Sequence, residues 1–257
     1  MAPPPEVVGL APVSLPPHFF IYLPPMNKSP QLIDNGSALE VAGLVHRVWQ
    51  PETANPEMTS PHPVVVMLHG HLGNEDVMWV FAQTVPSTCV LVAPRAIVPV
   101  GQKSFTWQPR LENEWPVLAQ FDEAVTAVTH FIHSLPTLYP VDLNQVYLMG
   151  FSQGAAVAFA VALQNPGLVQ GIASLVGFVP RQVDEAINRA VLRDVPVFMA
   201  AGTQDDRVPL IVAQNSAAAV RAMGAFLEYR EYDTGHKLDA AGMRKLQSWW
   251  QERLNRD

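Results

Sequence analysis

Cysteine is all but missing from this chain. Among 257 residues there is one, Cys89, so no disulfide can form within the molecule and no thiolate cluster is available to organise a metal. It lies in the apolar run Cys89-Val90-Leu91-Val92 and reads as a buried, inert thiol. Positive charge is also scarce. Sixteen Lys and Arg stand against 23 Asp and Glu, a net charge of -7, which argues against nucleic acid or an anionic membrane as partner and leaves small neutral substrates open. No apolar run reaches the length of a membrane span, so stable membrane insertion is not expected. No basic segment leads into an apolar stretch after Met1, so no export signal is expected and a cytoplasmic location is. Charged residues make up only 15% of the chain and apolar ones 49%, a balance that fits one well-covered core better than disorder.

Proline, by contrast, is concentrated at one end. Nine of the 24 prolines fall in the first thirty residues, a density that suits an extended arm. The sequence therefore divides into a proline-rich arm over residues 1–38 and a folded domain over 39–257, with a short edge strand conceivable at His18 to Pro24. Beyond the arm, apolar runs of strand length recur at 43–49, 64–68, 89–93, 145–149, 171–175, 195–200 and 226–232. Helical patterns lie between and after them, at 115–135, 153–164, 183–193, 208–223 and 238–254. Alternation of this kind predicts an α/β fold, a mostly parallel sheet with helices on both faces. Such sheets bind ligands at the carboxyl ends of their strands, so the strand exits carry the search for chemistry.

Four exits are informative. After Met149 comes Gly150-Phe151-Ser152-Gln153-Gly154, a G-x-S-x-G pattern between strand and helix, where a tight turn exposes a serine hydroxyl as a nucleophile. After Leu68 comes His69-Gly70-His71-Leu72-Gly73, a loop able to aim a backbone N–H at a developing oxyanion, with a second N–H from Gln153. On that reading the His71 side chain is incidental. Metal binding by His69 and His71 is the competing idea, and it lacks a third ligand. After Ala200 come Asp205 and Asp206, either of which can orient an imidazole; both can instead cap the helix that follows. After Tyr232 comes His236, the only histidine that follows both acids and a last strand. The order Ser, Asp, His is the one this class of hydrolase uses.

With these residues in place the chain resembles the phospholipase/carboxylesterase family of α/β-hydrolases, which includes acyl-protein thioesterases and small bacterial carboxylesterases. The resemblance rests on LHGHLGNED, GFSQGAA, GFVP, GTQDDRVP and TGH, and runs from about residue 43 to the end. It implies Ser152 as nucleophile, His236 as base, Asp205 as acid, and the backbone N–H groups of His71 and Gln153 as oxyanion donors. It also implies Leu72, Trp107 and Val208 as substrate-site residues. The family usually has glycine where Leu72 stands and proline where Asp206 stands. The expected activity is hydrolysis of carboxylic esters of small or medium acyl chains through an acyl-enzyme, without metal or organic cofactor. The alternatives are a thioesterase acting on acyl-protein or acyl-CoA, and a catalytically silent binding protein. Residues 178–195 have room for one helix, so no separate lid domain is expected, and family members often form homodimers.

Overall fold

The computed structural model describes residues 29–51, 61–108 and 115–254. The proposed edge strand at 18–24 and most of the proline-rich arm lie outside the described residues. In chain order the elements are β1 (Gln31–Ile33), α1 (Gly36–Ala42), β2 (His46–Trp49), β3 (His62–Leu68), α2 (Trp79–Ala82), β4 (Val90–Pro94), β5 (Val98–Pro99) and β6 (Phe105–Thr106). They continue with α3 (Asp122–Leu138), β7 (Val141–Phe151), α4 (Gln153–Gln164), β8 (Gly171–Leu175), α5 (Asp184–Asn188), β9 (Pro196–Gly202), α6 (Leu210–Ala222), β10 (Phe226–Tyr232) and α7 (Ala240–Leu254).

Eight strands form one sheet in the order β1-β2-β4-β3-β7-β8-β9-β10. The pairs β1–β2 and β2–β4 are antiparallel and every later pair is parallel. Successive side chains along a strand point to opposite faces, and this sequence uses both. Val64, Val66 and Leu68 of β3 enter one core while Val65 and Met67 enter the other. The same division separates Leu148 from Met149 in β7 and Val197 from Phe198 in β9. The first core is filled by α3, α4 and α6, and the second by α2 and α7, whose Trp249 and Trp250 are fully buried. α4 is buried from Gln153 through Leu163. Its Ala-Ala-Val-Ala-Phe-Ala-Val-Ala-Leu stretch therefore has no polar stripe, because no face of it meets water.

The boundaries differ from the sequence reading in physically simple ways. Gln31–Ile33 pairs with β2, so the sheet claims part of the segment assigned to the arm. The helix expected from Trp115 begins at Asp122, preceded by a tight helical turn at Leu118–Phe121, and continues past Pro136 to Leu138. The helix expected at 183–193 shrinks to Asp184–Asn188. It is the one helix between β8 and β9, so no lid domain is inserted there. The small hairpin β5–β6, two residues to each strand, is too short to leave a periodic signal.

β3 lies between β4 and β7, so the chain leaves β3 to one side and returns on the other. The crevice at such a reversal is where open α/β sheets place ligands. The exits of β3 and β7, the His69 loop and Ser152, stand side by side there.

Candidate active site

Ser152 has φ 53° and ψ -117°, a conformation that costs a non-glycine residue on the order of 1–3 kcal/mol. Several contacts hold it. Its N–H donates to Leu175 O at 3.0 Å, and its carbonyl accepts from Ala155 N–H at 3.1 Å as α4 begins. Gly154 follows because α4 runs hard against the β3 exit: a Cβ there would sit 2.0 Å from Leu68 O. The loop after β3 reaches the same point, since a Cβ on Gly70 would lie 3.2 Å from Ser152 Cβ and 3.1 Å from Phe151 Cδ1.

The exits of β9 and β10 supply the other two side chains. Thr203 N–H donates to Tyr232 O at 2.8 Å and Gln204 N–H to Thr234 O at 2.9 Å, which joins the two loops. Across that join His236 Nδ1–H donates to Asp205 Oδ2 at 2.8 Å, with the side chains 12% and 1% exposed. Asp205 Oδ1 accepts from the N–H groups of Arg207 at 2.8 Å and Val208 at 2.9 Å. Burial works to raise the Asp205 pKa. The bonds from His236, Val208 and Arg207 outweigh it and hold the carboxyl below its usual range. Asp206 is exposed. The His236 ring meets Phe151 edge-on at 5.1 Å, so the histidine borders the residue just before Ser152.

The β3 loop is a tight turn closed by Gly73 N–H to Gly70 O at 3.1 Å. Leu72 sits in it with φ 64° and 50% exposed, a conformation for which glycine is the easier residue. His69 anchors the turn from below. Ala96 N–H can only donate, and it points at His69 Nε2 at 3.0 Å, so Nδ1 carries the proton that Gly70 O accepts at 2.7 Å. Burial drives this imidazole down to about 4, against the Gly70 bond and the Glu75 charge. With both nitrogens engaged it is no metal ligand. Among the described residues no group of three or more His, Cys, Asp or Glu side chains is arranged to hold a metal.

Trp107 and Val208, implied as substrate-site residues, are 1% and 4% exposed. Trp107 Nε1–H donates to His69 O at 2.8 Å and the two rings lie 5.2 Å apart, so the indole supports the loop and offers no open face. Val208 acts through its N–H on Asp205. Three further residues escaped the sequence reading. Arg95 grips Glu75 with two bonds of 2.6 and 2.7 Å and lies over the Phe105 ring at 4.7 Å. Burial would raise the Glu75 pKa, but Arg95 holds it below the ordinary value. Arg95 was legible as a lone charge at the end of the apolar strand β4. Thr106 left no signal of its own. Its hydroxyl meets His71 Nδ1 at 2.8 Å and Gln153 Oε1 at 2.9 Å.

Residues 50–253 match the sequence profile of the family described as Phospholipase/Carboxylesterase. The chain belongs to the phospholipase/carboxylesterase family. Among curated family relatives, a protein of Oryza sativa subsp. japonica described as a probable inactive carboxylesterase is 28% identical over 115 residues, 44% of this chain and 47% of that one. Acyl-protein thioesterase 1 of Yarrowia lipolytica is 27% identical over 170 residues, 60% of this chain and 74% of its own length. The chain spans about half the length of the first curated relatives it matches, at 47% and 44%. The crystal structure of the Bacillus cereus carboxylesterase superposes with a TM-score of 0.66 at 21% identity, over 84% of this chain and 99% of that one. This likeness establishes the α/β-hydrolase fold. Among the described residues no helix is long and apolar enough to cross a membrane.

Proposed function

We propose that this family member is a serine carboxylesterase that hydrolyses esters of small or medium acyl chains through an acyl-enzyme on Ser152. The observation that carries the reading is the His236–Asp205 hydrogen bond of 2.8 Å at the rim where a serine is held at φ 53°. Ser152 Oγ attacks the ester carbonyl carbon as its proton passes to His236 Nε2, while Asp205 keeps Nδ1–H in place and balances the imidazolium. The backbone N–H groups of His71 and Gln153 receive the oxyanion. The tetrahedral intermediate collapses, the C–O bond to the alcohol breaks, and the alcohol leaves with the proton from His236. Water then adds to the acyl-enzyme by the same steps in reverse order, and the acid departs.

An exposed leucine at the β3 turn, 50% accessible, supports an apolar acyl chain lying beside the nucleophile. The same machinery serves a thioester equally well in principle, and a thioesterase is among the relatives. The ratio of kcat/KM for a matched ester and thioester separates the two substrates. Replacement of Ser152 by alanine is the primary test. Removal of a serine nucleophile costs roughly a millionfold in kcat, so turnover of a short p-nitrophenyl ester should fall to background and fluorophosphonate labelling should vanish. A Ser152→Ala protein with wild-type turnover would overturn the proposal, and an inactive, unlabelled wild type would favour a silent binding protein.

A further inference from the structure

We propose that Thr106 is a positioning residue for the oxyanion hole, because its one hydroxyl joins the side chains of His71 and Gln153. Those are the two residues whose backbone N–H groups are the donors in the reading above, on which this inference rests.

Proton counting fixes the direction of every bond in the cluster. Thr106 Oγ1 lies 2.8 Å from His71 Nδ1, 2.9 Å from Gln153 Oε1 and 2.8 Å from Gln108 O. Two of those neighbours are carbonyl oxygens, which only accept. The single hydroxyl proton is shared between them, so His71 must be the donor on the third side, with its proton on Nδ1. The Gln153 amide is equally constrained. Trp107 N–H points at Oε1 at 3.1 Å, which leaves Nε2 to donate to Gln108 O at 3.3 Å. The ring that looked incidental in the sequence is thereby tied to the residue after the nucleophile.

The two donors need such a link because their backbones are held differently. Gln153 is the first residue of α4 and is 6% exposed. His71 belongs to no regular element, and the next residue, Leu72, sits at φ 64°, so the orientation of the peptide between them depends on what grips the turn. Segment 105–108 grips it from several atoms. Phe105 N–H donates to Gly73 O at 2.9 Å and Trp107 Nε1–H to His69 O at 2.8 Å. Among these contacts, only the Thr106 hydroxyl touches both donor residues through its own side chain. It is 1% exposed, so water does not replace a lost bond. Oxyanion donors act only when they sit about 2.7–3.1 Å from where the oxygen will be, and small displacements there cost rate.

Thr106→Val removes the hydroxyl and keeps the shape. On a p-nitrophenyl ester kcat is expected to fall about 10- to 100-fold with KM changed less than about threefold. Affinity for an aryl boronic acid, which forms a tetrahedral adduct on the serine, should weaken by a similar factor. Thr106→Ser should return kcat to within about threefold of wild type. If the valine variant fails to fold by circular dichroism, Thr106→Ala replaces it in the same comparison with serine. A folded valine or alanine variant with wild-type kcat overturns the proposal, as does a serine variant impaired as much as valine. An active wild type with an undisturbed Thr106→Val removes only the Thr106 link, whereas an inactive wild type removes the esterase reading beneath it.

Discussion

Asp205 and Asp206 are adjacent in the chain and differ in everything that matters for acid–base work. The first has a side chain 1% exposed, with one oxygen on His236 and the other on two backbone N–H groups. The second faces solvent. Asp205→Asn keeps the volume but cannot hold the same imidazole tautomer, so kcat is expected to drop on the order of 10⁴-fold. Asp206→Asn should stay within about twofold of wild type, as surface changes generally do. Steady-state kinetics on one ester settle both. Equal losses in the two variants would mean that the carboxylates share the role.

At the scale of elements, the loop after β3 depends on a brace that no motif announces. Glu75 is 4% exposed, and Arg95 at the end of β4 binds it bidentately while covering Phe105 of β6. Three segments are thus held by one guanidinium: the loop after β3, the exit of β4 and the hairpin. Arg95→Met would leave a buried carboxylate unpaired. Breaking a fully buried pair this way costs about 3–5 kcal/mol. The Arg95 side chain is 28% exposed, so about 2–3 kcal/mol is the expected loss, read from urea unfolding. A change below 0.5 kcal/mol would contradict the role given to the brace.

Over the whole molecule, the buried histidines and carboxylates with shifted pKa point the same way with pH. Burial holds His69 near 4 in the folded protein against an ordinary 6.5. Between those values the unfolded chain takes up a proton that the folded one refuses, so stability falls as pH drops through that window, by roughly 3 kcal/mol for this group. His46 adds in the same direction. It is also lowered by burial, with its Nε2 against the Tyr139 hydroxyl at 2.6 Å, and burial pushes that phenol up to about 12. Asp205 and Glu75 are depressed carboxylates. Their contributions are complete above the ordinary carboxyl range and disappear only as pH falls through their lowered values. Urea midpoints should therefore decline from pH 7 to pH 5, before any carboxylate titrates, and more steeply below. A flat profile from 7 to 5 would show that these histidines are protonated without cost.

The order of the longer strands and helices, the serine turn and the presence of a carboxylate and an imidazole at later strand exits were legible in the sequence. Each is written in local periodicity or in a few adjacent residues: the strand runs at 171–175 and 226–232 and the helix at 153–164 coincide with β8, β10 and α4. Local pattern does not reach across the sheet. That Trp107 stands behind the loop instead of facing the cleft, and that Thr106 and Arg95 bind the turn after β3 at all, were decided only by tertiary structure. Hydrogen bonds between segments dozens of residues apart depend on sheet order and loop closure, and no spacing along the chain records where those bring side chains together.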